Sequence, residues 1–471
     1  MSARFGAFRE LSASEVDTGC CSLITEFGDV IMSNFRKQHM TIDWHDIVDG
    51  EASTPAVYAP LKEKATIVGR VGLMMLSVGT GAWRVRASMN KIARALNITC
   101  NADIGLLSIE YTCIEGCETY TNAISLSTTG VNTDKLNELE NFADGFKDRA
   151  GKYSTEQFHM ILDKFQEMPG NYKAWQLGLA SGAACCAFTF LLGGGLAEMI
   201  CALLGAGIGN FIRKKMIERH ITLFANVTAS VAAACCVYVV LIKLAELIFG
   251  VSEVHQAGYI CSMLFVIPGF PLITGGIDLA KLDLRSGIER ITYALLIIIT
   301  ATATGWAAAQ IFRFSPGDFE ALEIAPVLHG VLIAAASFCG VYGFSLMFNS
   351  TPKMALTAGL IGMAANTLRL ELIELTGIPA GAAAFIGAFS AGLLASVIKR
   401  GIGFPRITLT VPSIVIMVPG MYMYKGVYFM ALNDITNAAA WLTKALLIVV
   451  ALPLGLIFAR IFTDNNFRKS S

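Results

Sequence analysis

The sequence predicts a polytopic α-helical membrane protein of ten transmembrane helices, built as an inverted 5+5 repeat and preceded by a small cytoplasmic α/β domain. The 471 residues are 54% hydrophobic and only 15% charged, which is too apolar for a soluble globular protein of this length. Nearly everything after Trp175 falls into apolar runs of about 20 residues or more, the length that spans a hydrocarbon core. A Pro-Gly step also occurs twice, at Pro268-Gly269 and Pro419-Gly420, each time inside such a run.

Residues 1–172 are mixed in polarity and are expected to form the cytoplasmic domain. In chain order, hydrophobic periodicity and turn residues predict a helix (65–96), a β-hairpin (104–113 and 119–128) and two helices (133–149 and 155–168). The last helix begins with a capping box of Ser154 and Gln157. The first residues lack an apolar core, so we expect no signal peptide.

Several functional classes are disfavoured by composition. The formal net charge is zero and the polar domain has no basic tract with interleaved aromatic residues, so we expect no nucleic-acid partner. Most of the twelve cysteines are expected to be free thiols, several of them packing inside spans. Cys113 and Cys117 are spaced like metal ligands but lack a second pair, so we expect no metal and no other cofactor. The absence of a Walker loop disfavours ATP as the energy source.

The order of apolar runs sets the membrane topology. The predicted spans are residues 174–192, 195–212, 221–249, 257–280, 287–312, 324–347, 353–370, 379–398, 407–431 and 438–461. Basic residues collect in the loops after every second span and at the C-terminus, whereas loops 251–256 and 315–323 are acidic or nearly uncharged. Because cytoplasmic loops carry the excess of Lys and Arg, both termini are expected in the cytoplasm.

The two membrane halves match each other in sequence. A shift of 151 residues places Pro268-Gly269 on Pro419-Gly420, Gly275 on Gly426, Asp283 on Asp434 and Ala294–Ile297 on Ala445–Ile448. Each half holds five spans, and an odd number makes the second copy enter the membrane the other way up. The expected membrane domains are therefore residues 173–313 and 314–471.

Both Pro-Gly steps fall near the middle of a span, where proline removes a backbone donor and breaks the helix. Interrupted helices at matching positions of two halves indicate a transporter's substrate site, with half-helix ends binding the charged groups of a zwitterion. The predicted substrate-binding residues are Pro268, Gly269, Phe270, Pro271, Pro419 and Gly420. The alternative is that both steps are packing kinks.

Three further polar residues are candidates. Glu198 begins the second span and is the predicted proton-coupling carboxylate, because an ionisable group in hydrocarbon usually faces a cavity or a partner. Its alternative is an exposed place at the membrane interface. Asn210 and Asn366 correspond under a shift of 156 residues and either bind substrate or donate hydrogen bonds between helices.

The segment from Thr80 to Asn97, the segment from Val131 to Leu136 and the Gly193-Gly194-Gly195 turn before Glu198 resemble the threonine/serine exporter family. The likeness covers most of residues 70–460 and departs from the family pattern at Trp83, Asn97 and Glu198. It implies a protein of the plasma (bacterial inner) membrane that exports small hydroxy-amino acids, or related small carboxylates, by antiport with protons.

The sequence therefore favours a secondary active exporter over an enzyme. Its expected partners are a small amino acid, protons and the lipid bilayer, and a homo-oligomer is left open. The alternatives are a membrane-anchored hydrolase with its site in the N-terminal domain, an exporter of small dicarboxylates and a passive channel. A hydrolase requires a nucleophile and base within residues 65–170, whereas a transporter requires polar groups at the helix breaks.

Overall fold

The computed structural model describes residues 42–47, 54–249, 258–314, 319 and 324–468. Residues 42–47 belong to a separate unit and contain one short turn, His45–Ile47. The chain from residue 54 onward belongs to a second compact unit. The first residues, for which no signal peptide is expected, lie outside the described residues. So do loop 251–256 and most of loop 315–323.

The N-terminal domain begins with two helices, α1 (Leu61–Ser77) and α2 (Ala82–Ala95). The prediction of one continuous helix from 65 to 96 is therefore wrong. Gly79, in the turn between them, has φ +85°, and a side chain there would come within 2.5 Å of the carbonyl oxygen of Gly130. A left-handed turn ends the first helix, and glycine is the residue that tolerates it.

Strands β1 (Thr99–Ile104), β2 (Ser108–Glu115) and β3 (Glu118–Ser125) form an antiparallel sheet in the order β1-β2-β3. The predicted hairpin is confirmed in β2 and β3, and β1 adds a strand before it. Short turns rather than crossover helices join the strands, so the domain is of the α+β class and the α/β prediction is wrong in this respect.

Three helices complete the domain: α3 (Thr133–Asp144), α4 (Lys147–Ala150) and α5 (Thr155–Glu167). The capping box of α5 is confirmed, because the Gln157 amide donates to Ser154 Oγ and the Ser154 amide donates to Gln157 Oε1. Phe142, Phe146 and Phe158 are buried together and hold the three helices against one another.

The described residues that follow are mostly helical, and the helices counted next all lie among them. Eight helices are long and apolar enough to cross a membrane, α6 (Ala174–Leu191), α7 (Leu196–Glu218), α8 (Leu223–Phe249), α11 (Leu284–Phe312), α12 (Pro326–Met347), α13 (Pro352–Thr376), α14 (Ala380–Ile402) and α17 (Ile435–Thr463). Two bent pairs raise the number of described candidate spans to ten, α9 (Tyr259–Ser262) with α10 (Gly269–Ala280), and α15 (Arg406–Val415) with α16 (Gly420–Ala431). A last short helix, α18, covers Asn465–Arg468.

The membrane helices pack in a pattern that recurs after five spans. α6 packs on α7 and α7 on α8, as α12 packs on α13 and α13 on α14. α10 packs on α11 and α8 on α11, as α16 packs on α17 and α14 on α17. The turns before α11 and α17 also match, because Leu282 and Asn433 both have φ near +60° and Asp283 and Asp434 are the following N-caps.

The N-terminal domain packs on two connections between membrane helices. Arg86 Nη1 lies 2.6 Å from Asp283 Oδ1, in the turn between α10 and α11. Thr133 Oγ1 lies 2.7 Å from Ser350 Oγ, in the turn between α12 and α13. These contacts place both turns on the same side of the helical bundle as the domain.

Candidate functional site

Both Pro-Gly steps break their helices, as predicted. The two pairs bend by 55° at the first step and 51° at the second. Pro268 has φ −82° and ψ 60°, and Pro419 has φ −82° and ψ 55°. The following glycine amides donate to Ile267 and Val418 carbonyls at 2.8 and 2.9 Å, which makes each step an inverse γ-turn. The matched residues therefore adopt the same backbone conformation.

The two breaks face each other across the bundle. A side chain on Gly269 would meet Val415 Cγ2 at 2.5 Å, and one on Gly420 would meet Leu264 Cδ2 at 2.9 Å. Each glycine therefore lets the other broken helix approach closely. Between them lies a small cavity, lined by Phe188, Leu264, Ile267, Gly269, Phe344, Val415, Val418 and Gly420.

That cavity has no ionisable lining side chain. The polar groups around the two turns are backbone amides and carbonyls. Of the other predicted residues, Phe270 is 1% exposed and packs edge-to-face on Phe348 at 5.4 Å, toward the N-terminal domain. Pro271 is half-buried and is not among the residues that line the cavity.

Asn210 and Asn366 both join helices within one half of the membrane region. Asn210 Nδ2 donates to the carbonyl of Leu177 at 2.9 Å, from α7 to α6. Asn366 Nδ2 donates to Ser337 Oγ at 2.8 Å, from α13 to α12. One turn beyond Asn210, Arg213 donates to the carbonyl of Phe265, which adjoins the first break.

Glu198 lies in the first turn of α7 and is 3% exposed. The alternative of an exposed interfacial residue is therefore wrong. A side chain on Gly258, just before α9, would meet Glu198 Cβ at 3.1 Å and the Tyr238 hydroxyl at 2.1 Å. Glu198 thus packs beside the start of the first broken helix, on the half that precedes the break.

A buried tyrosine pair joins the two broken helices on the side away from the N-terminal domain. The hydroxyls of Tyr259 in α9 and Tyr424 in α16 are 2.7 Å apart, and both residues are 1% exposed. Their rings meet edge-to-face. The sequence analysis missed this pair, because no local pattern relates two tyrosines that lie 165 residues apart.

A second, larger cavity lies on the N-terminal domain side. It is lined by α10 and α15, the halves of the broken helices on that side, which also contact each other. Its ionisable lining residues are Arg84, Asp278, Arg406 and Arg460. Arg406 lies just before the ninth predicted span and is the first residue of α15 in the structure, so the sequence analysis did not treat it as a site residue.

The N-terminal domain contains a buried hydroxyl and imidazole in contact, Thr66 Oγ1 and His159 Nε2 at 3.2 Å. Arg70 Nη1 lies 3.2 Å from His159 Nδ1, and a guanidinium can only donate, so Nδ1 accepts and Nε2 carries the hydrogen. The Thr66 hydroxyl donates to the carbonyl of Glu63. The imidazole therefore cannot take a proton from Thr66, and both side chains are fully buried.

Among the described residues, no three His, Cys, Asp or Glu side chains lie close enough together to hold a metal ion. Cys113 is buried within β2, whereas Cys117 is exposed in the turn that follows.

Comparison with known proteins decides the family. Residues 66–312 match the sequence model described as a putative threonine/serine exporter, and residues 333–462 match a second model described as threonine/serine exporter, ThrE. The chain belongs to the threonine/serine exporter family. It is a multi-pass membrane protein of a transporter family.

Two relatives illustrate the range of this exporter family. A probable threonine/serine exporter of Mycobacterium tuberculosis is 23% identical over 415 residues, which cover 82% of this chain and 74% of the relative. A probable succinate transporter subunit, YjjP, of Escherichia coli is 23% identical over 236 residues, which cover 50% of this chain and 88% of the relative. No solved structure matches the chain.

Proposed function

We propose that this family member is a secondary active exporter of threonine and serine that works by antiport with protons. The observation that carries the proposal is the meeting of the two helix breaks. Each contributes one inverse γ-turn and one glycine that contacts the other broken helix. Half-helix ends present amides with partial positive charge and carbonyls with partial negative charge, which suits a zwitterion held without charged side chains.

The substrate site of the proposal consists of Pro268–Pro271 and Pro419-Gly420. Asn210 and Asn366 remain in it as candidates, although their bonds to neighbouring helices favour a packing role. Glu198 is the proposed proton carrier, because it is buried beside the first broken helix. A carboxylate in such a place can gain and lose a proton as the helices move.

We also propose the inverted repeat, with residues 1–172 in the cytoplasm and membrane halves at 173–313 and 314–471. The recurring packing pattern supports the duplication. The two family matches, ending at 312 and beginning at 333, support the boundary. If both bent pairs cross the membrane, the turns at Asp283 and Ser350 follow four and six crossings, which agrees with their contacts to the N-terminal domain.

Transport by the purified full chain in liposomes tests the function. With an imposed pH gradient, labelled threonine is expected to move against its own concentration gradient, and a protonophore is expected to abolish this movement. Empty liposomes are the control. Failure of threonine, serine and succinate to respond to the gradient would reject the exporter, and equal fluxes with and without a gradient would indicate a channel.

A dicarboxylate substrate is the second candidate, because one relative is named a probable succinate transporter subunit. Succinate movement that threonine does not compete with would favour it. The hydrolase alternative is disfavoured at the buried Thr66–His159 contact, because the hydroxyl donates to the carbonyl of Glu63 and the imidazole nitrogen that faces it already carries a hydrogen.

A further inference from the structure

The cavity on the N-terminal domain side is built by both parts of the molecule. The first turn of α2 supplies Gly81, Trp83 and Arg84, and the last turns of α17 supply Arg460. The remaining walls come from α10 and α15, which lead to the two helix breaks. This cavity therefore lies between the N-terminal domain and the halves of the broken helices on that side.

Its positive charges are only partly offset. Arg84 pairs with Glu140 at 2.5 Å, and Arg460 pairs with Asp464 at 3.3 Å. Arg406 instead donates to two neutral oxygens, Thr463 Oγ1 and the carbonyl of Gly392, both at 2.8 Å. Asp464, the partner of Arg460, also acts on the charge of Arg406, but these two hydrogen bonds of Arg406 go to neutral oxygens, and its planar donors match a carboxylate.

The same cavity also holds acceptors. Asp278 is 1% exposed, and its Oδ2 atom receives bonds from the Ala82 amide and Ser286 and lies 3.2 Å from Arg290. Its Oδ1 atom has no hydrogen-bond donor among the described residues. That oxygen would lie 2.6 Å from a side chain on Gly81, so it points at a residue that lines the cavity.

Two lining threonines add neutral acceptors. Thr274 Oγ1 donates its hydrogen to the carbonyl of Phe270, and Thr410 Oγ1 donates to the carbonyl of Arg406. Each hydroxyl oxygen keeps lone pairs that can accept from an ammonium. One guanidinium whose hydrogen bonds go to neutral oxygens, in the same cavity as one carboxylate oxygen without a donor among the described residues, matches a zwitterion better than a dianion.

We propose that this cavity is a second recognition site, which binds a small amino acid with its carboxylate on Arg406 and its ammonium on Asp278. The N-terminal domain therefore forms one wall of a binding site through Trp83 and Arg84. The position of this site on the export route rests on the proposed function, whereas the binding itself does not.

Trp83 gives a local signal for binding. The guanidinium carbon of Arg460 lies 4.2 Å from the centre of the Trp83 ring, so a ligand that moves this guanidinium alters the indole emission. Fluorescence titration of the purified full chain with threonine is expected to saturate, and W83F is expected to lose the signal. Threonine methyl ester lacks the anion and succinate lacks the ammonium, so both are expected to bind more weakly.

Arg406→Gln is expected to weaken threonine binding about tenfold or more, the usual effect of losing a charge-assisted hydrogen bond. Arg94→Gln, on the exposed face of α2, is the matched control and is expected to leave binding unchanged. Should Arg406→Gln fail to fold, Thr410→Val removes one acceptor without a change of charge and is expected to weaken binding about threefold.

Binding that is unchanged in the folded Arg406→Gln variant, or in Thr410→Val if it alone folds, would overturn the site. So would ester or succinate binding as tight as that of threonine. A saturable Trp83 signal in a protein that moves no amino acid in liposomes would reject the proposed function and keep this site. Gradient-driven transport without the Trp83 signal would reject this site and keep the proposed function.

Discussion

On each side of the helix breaks, half of one broken helix lies beside half of the other. The contacts between these halves differ between the two sides. Away from the N-terminal domain, α9 and α16 are tied by the buried Tyr259–Tyr424 pair. On the domain side, α10 and α15 also contact each other, but beside that contact they line a cavity with three arginines. The breaks are thus closed on one side and approached by a cavity on the other.

Under the proposed function, this difference would let one pair of breaks serve the two sides in turn. Rocking one five-helix half against the other would separate the tyrosines and close the arginine cavity. The close glycine contacts at the breaks would serve as the pivot, because small residues let two backbones slide past each other. Substitutions at the breaks, at Glu198, at the tyrosine pair and at the two asparagines each change a different part of this arrangement.

The largest effect is expected from Gly269→Val at the pivot. A side chain there meets Val415 Cγ2 at 2.5 Å and Val418 Cγ2 at 3.2 Å, so the broken helices must separate. Displacing a binding geometry by about 1 Å can cost about 100-fold, and we expect threonine transport to fall by about this factor. Initial rates in liposomes measure it. Gly401→Val, where an added Cβ meets no atom within 4 Å, is the control.

Normal transport by Gly269→Val would show that the breaks are packing kinks. Overpacking can also lower stability by about 1–3 kcal/mol, so the thermal midpoint of the purified variant is measured alongside.

The second prediction concerns coupling. Glu198→Gln keeps the shape of the side chain but removes its charge, so threonine exchange is expected to persist while the response to a pH gradient is lost. Counterflow and gradient-driven accumulation in the same liposomes separate the two. Glu218→Gln, at the exposed end of the same helix, is the control. Retained gradient response in Glu198→Gln would move the coupling role to another group.

Much of this arrangement could be predicted from the sequence. Span order, both helix breaks and the capping box follow from local chemistry, because proline, apolar run length and Ser-x-x-Gln act over a few residues. The sequence did not predict the break between α1 and α2, because apolar periodicity continues across Gly79. The left-handed turn at Gly79 depends on packing against Gly130, which is distant in the sequence. The arginine cavity was also missed, because it joins residues from four distant segments.

The third prediction tests the closed side. Tyr259→Phe or Tyr424→Phe alone leaves the other hydroxyl buried without its partner, and each is expected to cost about 1–3 kcal/mol of stability. The double variant removes both hydroxyls and is expected to cost less than the sum, with a coupling energy of about 1 kcal/mol. Thermal or denaturant unfolding in detergent measures this cycle. Additive losses would indicate that the hydroxyls do not stabilise the closed side together.

The smallest effect is expected at the two asparagines, which test whether the halves use matched residues for packing. Asn210→Ala and Asn366→Ala each remove one hydrogen bond between helices, worth about 0.6 kcal/mol on average in a membrane protein. We expect similar small losses of stability and an unchanged KM for threonine. Ser337→Ala, which removes only the acceptor of Asn366, is expected to reproduce the loss seen with Asn366→Ala. A KM raised about tenfold at unchanged stability would instead return both residues to the substrate site, since losing a ligand hydrogen bond weakens binding by about that factor.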